Sequence, residues 1–152
     1  KISQAYPGAP EAAETALEAS KAAGRDRFTM FAETVPWRDV KTLEEIRTIL
    51  ESWYRKGWVN KSMLYRLNGF IDLAEKERIL RDKPQISLAD MSCFKWRALF
   101  SYATARNIAR DVKNRDERER IVAELSTTMA QWLESLGGKL KIPLWNILYN
   151  YR

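Results

Sequence analysis

The sequence predicts a mainly α protein, a bundle of about five helices preceded by one helix and one strand with the character of an α/β domain's tail. Three observations carry this expectation. Apolar residues recur at three- and four-residue spacings in every long segment after Trp37. Glycines, prolines and short polar breaks separate those segments at helix-like intervals. Polar–apolar alternation is convincing only once, in Arg27-Phe28-Thr29-Met30-Phe31. With 152 residues, 45% of them hydrophobic, and 6 Trp, 6 Tyr and 5 Phe, the chain is long enough to bury a core and too aromatic for a disordered tail.

Taken in order, Pro7, Gly8 and Pro10 break the opening stretch, and residues 10–21 then read as a helix. Proline stands at its start, acids fill its first turn and Gly24 stops it. The strand at Arg27–Phe31 follows, ended by Val35-Pro36-Trp37. A helix over roughly 40–56 carries Val40, Leu43, Ile46, Ile49, Leu50 and Trp53 on one face, and Gly57 closes it. Ser62 is a candidate cap for a second helix, whose apolar face is Met63, Leu64, Leu67, Phe70, Ile71 and Leu73. Residues 83–87 form a loop. A third helix runs from about 88 or 93 to 112 with Trp96, Leu99, Phe100, Ala103 and Ile108 inward, and is interrupted by Asn114 and Arg115. A fourth spans about 116–135, with Ile121, Val122, Leu125, Met129, Trp132 and Leu133 on its apolar side. Gly137-Gly138 is a stop, and Pro143 to Tyr151 makes a last short apolar helix. Trp37, Trp53, Leu67, Trp96 and Trp132 are expected in the core.

Two segments follow from this: residues 1–34, the end of an α/β unit, and residues 35–152, the helical bundle. A lone strand is not a sheet, so its partners are expected in sequence outside this chain. The chain also opens on Lys1 without a methionine, which agrees with a piece of a longer protein.

The chemistry open to these residues is narrow. There is no histidine, which removes His-based acid–base catalysis, His-ligated metals and catalytic triads. The single cysteine, Cys93, makes neither an internal disulfide nor a multi-cysteine zinc site, and reads as a small core residue. One thiol and no membrane-length apolar run point to a soluble, cytoplasmic setting. The acids are scattered beside basic residues, as in Glu75-Lys76-Glu77-Arg78, and read as solvated helix faces rather than metal ligands.

The excess of positive charge is local. The chain carries 26 basic and 20 acidic residues, net +6. Residues 93–115 hold six of the cations (Lys95, Arg97, Arg106, Arg110, Lys113, Arg115) against Asp111 alone. On a continuous helix Tyr102, Arg106, Arg110 and Lys113 share one face, opposite Trp96, Leu99, Phe100 and Ala103. Such a stripe suits a phosphate backbone read without sequence preference, an acidic protein neighbour, or plain solvent. Lys95, Arg97, Tyr102, Arg106, Arg110 and Lys113 are therefore the candidate contacts to nucleic acid or to a subunit. Six tryptophans exceed what one small core needs, and some are expected to anchor an interface.

The order of several stretches resembles one family. Ala13-Glu14-Thr15-Ala16-Leu17-Glu18-Ala19-Ser20-Lys21, Gly24-Arg25-Asp26-Arg27-Phe28-Thr29-Met30-Phe31 and Thr34-Val35-Pro36-Trp37 are similar to the large signature subunit of type III CRISPR effector complexes, especially the type III-A or Csm form. Lys61-Ser62-Met63-Leu64-Tyr65-Arg66-Leu67, Lys95-Trp96-Arg97 with Tyr102-Ala103-Thr104-Ala105-Arg106-Asn107, and the closing Leu148-Tyr149-Asn150-Tyr151-Arg152 agree with it. The connection from Tyr6-Pro7 to Ala13 is shorter than the family pattern. The resemblance implies that residues 1–34 close a ferredoxin-like palm domain and that residues 35–152 are the C-terminal helical domain. It further implies a parent protein that uses ATP and divalent metal (Mg or Mn) to make cyclic oligoadenylate and that cuts single-stranded DNA in antiviral defence. The Gly-Gly-Asp-Asp and His-Asp motifs of those activities are absent from this chain, so no catalytic residue and no cofactor site is carried over. The partners it implies are the small helical subunits, with guide RNA, target RNA and single-stranded DNA near by and no membrane. A free-standing helical module binding single-stranded nucleic acid is the alternative.

Overall fold

The computed structural model describes residues 9–24 and 26–151, so the opening break at Pro7 and Gly8, with Tyr6-Pro7, lies outside the described residues. The fold is mainly α, with a small antiparallel hairpin near its start. Helix α1 (Ala9–Ala22) is followed by strands β1 (Arg27–Met30) and β2 (Glu33–Pro36). Five helices then make the bundle: α2 (Val40–Arg55), α3 (Lys61–Arg81), α4 (Trp96–Asn107), α5 (Arg115–Leu136) and α6 (Lys141–Asn150). Short 3₁₀ turns at Trp37–Asp39, Asp90–Lys95 and Gly137–Leu140 lead into α2, α4 and α6.

The strand is not alone. Arg27 pairs with Pro36 and Met30 with Glu33, so the partner lies within the chain and not in missing sequence. The sequence reading takes Val35-Pro36-Trp37 only as the end of the first strand, but a two-stranded ribbon has free edges, and a proline there loses no ladder bond. The turn was hidden for another reason. Phe31 and Ala32 occupy its two central positions with φ of 53° and 64°, where Asn-Gly is the usual signal. Two strands are marginal by themselves. Here Thr29 and Thr34 hydrogen-bond across the ladder at 2.8 Å, and Ser20 of α1 reaches Thr29 at 2.7 Å. Val35 then packs with Leu43 of α2, Ile142 of α6 and the half-buried Phe28.

In the bundle, sequence periodicity and packing largely agree. Leu43, Ile46, Leu50 and Trp53 face inward from α2; Met63, Leu64, Leu67, Phe70 and Ile71 from α3; Ile121, Leu125, Met129 and Leu133 from α5. Aromatic rings join the layers. Trp53 stacks on Trp132 at 5.3 Å, and Phe100 meets the edges of Phe70 at 5.4 Å and Trp96 at 6.2 Å. Leu67 and Trp96 are buried as expected. Trp132 is only half-buried. Trp37 is 57% exposed, because the hairpin exit sets its ring on Phe28, outside the bundle. Leu99 and Ile49, also expected inward, are exposed at the margins of their faces.

Helix ends differ from the sequence reading in instructive ways. The cap of α3 is Asn60, whose Oδ1 accepts from the Met63 amide at 2.8 Å, and Ser62 is already inside the helix. Asn114 does the same for α5 through Glu117, so it starts a helix where the sequence reading places an interruption. Gly137 has φ of 54°, and a side chain there would collide with the Glu75 carboxylate, so this stop is also a close crossing of α3. The third helix ends at Asn107, five residues short of the expected 112.

The ends of α2 and α6 are clasped by charge. Glu51 accepts from the Tyr151 hydroxyl, Arg55 and Arg47, each at 2.6 Å. Among the described residues no helix is long and apolar enough to cross a membrane.

Two outcomes test this fold. Ala32→Gly relieves a left-handed backbone that costs a side-chain-bearing residue about 1–2 kcal/mol, and is expected to raise the denaturation midpoint by the equivalent of about 1 kcal/mol. The Tyr151 hydroxyl, then Arg55 and Arg47, hold the Glu51 carboxyl at about 2 against its ordinary 4.5, with burial opposing them. A folded value below the unfolded one gives stability that is complete above pH 4.5 and is lost as pH falls toward 2. Acid titration of Glu51→Gln beside the parent chain should show that part of the acid sensitivity removed.

Candidate nucleic-acid interface

The cations of residues 93–115 do not form one stripe. Because α4 ends at Asn107, Arg110 and Lys113 leave the helix. Ile108 turns to extended backbone (φ −83°, ψ 138°) and Ala109 to the left-handed region (φ 50°). Both are fully buried, and the Ala109 amide donates to the Trp58 carbonyl at 2.8 Å. Burying this apolar pair draws the chain inward and returns Arg110 beside the end of α4. The result is a basin of about 350 Å³ lined by Arg66, Tyr102, Ala103, Arg106, Asn107 and Arg110.

Three elements supply its arginines: α3 gives Arg66, α4 gives Arg106 and the following turn gives Arg110. Arg106 donates to the Tyr102 hydroxyl, and its guanidinium carbon lies 5.3 Å from the Tyr102 ring centroid. Asn107 is half-buried and donates to the Ala103 carbonyl at 2.8 Å. Arg66, Arg106 and Arg110 are exposed, and none of them is ion-paired among the described residues. Three uncompensated guanidiniums around one concavity are suited to an anion with several oxygens, above all a phosphate.

The other candidate residues stand apart. Lys113 is exposed on the segment before α5 and does not line the basin. Lys95 is exposed at the opposite end of α4, eleven residues from Arg106 and so about 16 Å along the axis. Arg97 is engaged at the surface of the bundle by its own carboxylates: it donates to Glu77 of α3 at 2.7 Å and to Glu134 of α5 at 3.0 Å.

Glu77 is the residue that sequence reasoning misplaced. Its side chain is 6% exposed, and it accepts from the buried Trp96 indole, from Arg97 and from Arg81. The Arg97 guanidinium also lies 4.5 Å from the Trp96 ring centroid. Burial raises the Glu77 pKa, but the hydrogen bonds from Arg81, Trp96 and Arg97 outweigh it and leave the carboxyl below its ordinary range. The signal was available: Glu77 lies on the helical continuation of Phe70 and Ala74, along the inward face of α3. Beside it Glu75, Glu77, Arg78, Arg81, Arg97 and Glu134 line a cavity of about 240 Å³. Each of its carboxylates is held by an arginine, so none of the three is left unpaired for a metal ion.

A second open cleft of about 350 Å³ lies against α3, lined by Phe31, Asn68, Asp72, Lys141, Trp145 and Tyr149. Phe31 from the hairpin turn stacks on Tyr149 at 5.6 Å, and Tyr65 meets Trp145 edge-on at 6.5 Å. The Trp145 indole donates to Asn68 Oδ1 at 2.9 Å, which fixes the ring. Lys141 pairs with Glu33 and Asp72, each at 3.1 Å. The hairpin end of this cleft is not visible in the sequence, where alternation makes Phe31 the end of a strand and the fold makes it part of a turn.

No protein-family model, no curated protein and no solved structure matches this chain.

Glu77→Ala is expected to cost about 2–4 kcal/mol, because it leaves the Trp96 N–H buried without an acceptor and frees two guanidiniums. Glu77→Gln keeps an acceptor and should cost less. Urea denaturation of both variants measures the difference.

Proposed function

We propose that this chain is a non-catalytic helical part of the large subunit of a type III CRISPR effector complex, and that its arginine basin faces a nucleic-acid strand of that complex. The observation that carries the nucleic-acid contact is the basin itself: Arg66, Arg106 and Arg110, brought from three elements to one concavity, with no ion-pair partner among the described residues. Phosphate contacts of this kind position a strand without reading its sequence. Assembly with protein subunits draws support from another face. Leu88, Met91 and Phe94, spaced by three along the chain that leads through a 3₁₀ turn into α4, are 87%, 51% and 36% exposed. An apolar row of that kind is a common mark of a protein contact. The order of the resembling stretches supplies the family, and with it a cytoplasmic setting and a parent protein that makes cyclic oligoadenylate and cuts single-stranded DNA.

The second reading is a free-standing helical module that binds single strands, which the basin supports equally. Reconstitution separates the two, since only a complex subunit co-purifies stoichiometrically with the small helical subunits.

The basin has its own test. Binding of a labelled single-stranded RNA is expected to be independent of sequence, with a log–log salt slope of about 0.7 per neutralised phosphate and therefore about 2 for three contacts. Arg106→Glu with Arg110→Glu should abolish measurable binding at moderate salt and leave the thermal midpoint near that of the parent chain. Unchanged RNA affinity in this variant would refute the contact.

A further inference from the structure

Helix α3 separates the two concavities. At 100° per residue, Tyr65, Asn68 and Asp72 fall on the side that borders the aromatic cleft, and Arg66 falls on the side that borders the basin. The exposed residues between them are Ser62 and Gly69, and a Cβ built on Gly69 meets no atom within 4 Å. The ridge is therefore low, and the distance across it is roughly one helix diameter, about 10 Å. The two sides differ in charge. The basin gathers unpaired arginines, whereas the cleft sets Glu33 and Asp72 against the single Lys141.

We propose that one strand of nucleic acid crosses α3 here, with its phosphates in the Arg66–Arg106–Arg110 basin and an unstacked base in the Trp145–Tyr149 cleft, beside which Tyr65 stands edge-on to Trp145. This rests on the nucleic-acid reading of the basin and adds a second site to it. Charge decides which part of a nucleotide goes where: the one lysine of the cleft is already held by Asp72 and Glu33 and is not free for a phosphate, and the aromatic surface of Trp145 and Tyr149 that Phe31 leaves uncovered suits a neutral base. The floor is polar in a way that suits a base edge. Asn68 Oδ1 is taken by Trp145, which leaves its amide hydrogens to donate, and Asp72 presents an acceptor. Phe31 sits in the left-handed region with its ring on Tyr149, so the hairpin turn holds a strained residue at the rim of this cleft.

The test compares two probes that carry equal phosphate: a fluorescent 12-nucleotide oligouridylate and an abasic strand of the same length. The full chain is expected to bind the first about tenfold more tightly, the usual scale for one base stacked on aromatic side chains. Tyr65→Ala with Tyr149→Ala should remove that advantage and leave the abasic affinity and the salt slope unchanged. Both tyrosines are about half exposed (50% and 51%), and Tyr65→Phe with Tyr149→Phe should restore the preference. Arg66→Ala should weaken both probes together. Equal affinity of the unaltered chain for the two probes overturns the base site and leaves the basin standing. A preference that survives the double alanine variant also overturns it, because the base is then held elsewhere. If neither probe binds, the reading of the basin fails and this one with it.

Discussion

One buried carboxylate holds the middle of the bundle in register. Glu77 cannot be charged inside a protein without donors to meet it, and the donors come from two helices: Trp96 and Arg97 from α4 and Arg81 from α3. Arg97 continues outward to Glu134, so α5 joins the same network. Apolar packing would tolerate small slides of α4 along α3, because leucine and phenylalanine faces are not directional. A carboxylate with three donors is directional, and it fixes both the height and the rotation of α4. Everything attached to α4 inherits that setting, including Tyr102 and Arg106.

The positions where the backbone departs from ordinary conformations cluster at the two concavities. Phe31 and Ala32 close the hairpin beside the aromatic cleft, and Ala109 turns the chain beside the arginine basin. Each carries a side chain in a region that favours glycine. The strain is offset locally, by Phe31 on Tyr149 in one case and by burial of Ile108 and Ala109 in the other. Each concavity is therefore lined mostly by helix faces and completed by one residue that a turn delivers, Phe31 in the cleft and Arg110 in the basin.

That is also why the helices were legible in the sequence and the concavities were not. The core faces of α2, α3 and α5 follow from periodicity, since burial there requires only apolar residues three and four apart. Arg110 could not be placed in that way. Its position depends on Ile108 and Ala109 leaving the helix, and their apolar character is equally compatible with a longer one. Arg97 looked like part of a local basic excess, because charge counting along the chain does not see Glu77 and Glu134, which are 20 and 37 residues away. Pro36 and the absent Asn-Gly concealed the second strand, although Thr29 and Thr34 had the right residue type for a cross-strand pair.

The bond from the Ala109 amide to the Trp58 carbonyl joins two loops that share no other backbone hydrogen bond among the described residues. It spans the α2–α3 and α4–α5 connections, and Arg110 is the next residue along the chain. The amide proton of Ala109 is consequently a reporter on the basin. While the loops stay docked it is shielded from solvent, and its exchange with deuterium requires that they separate. The exchange rate at this one position thus measures how often the third arginine leaves its place, on a timescale that the static arrangement of side chains does not contain.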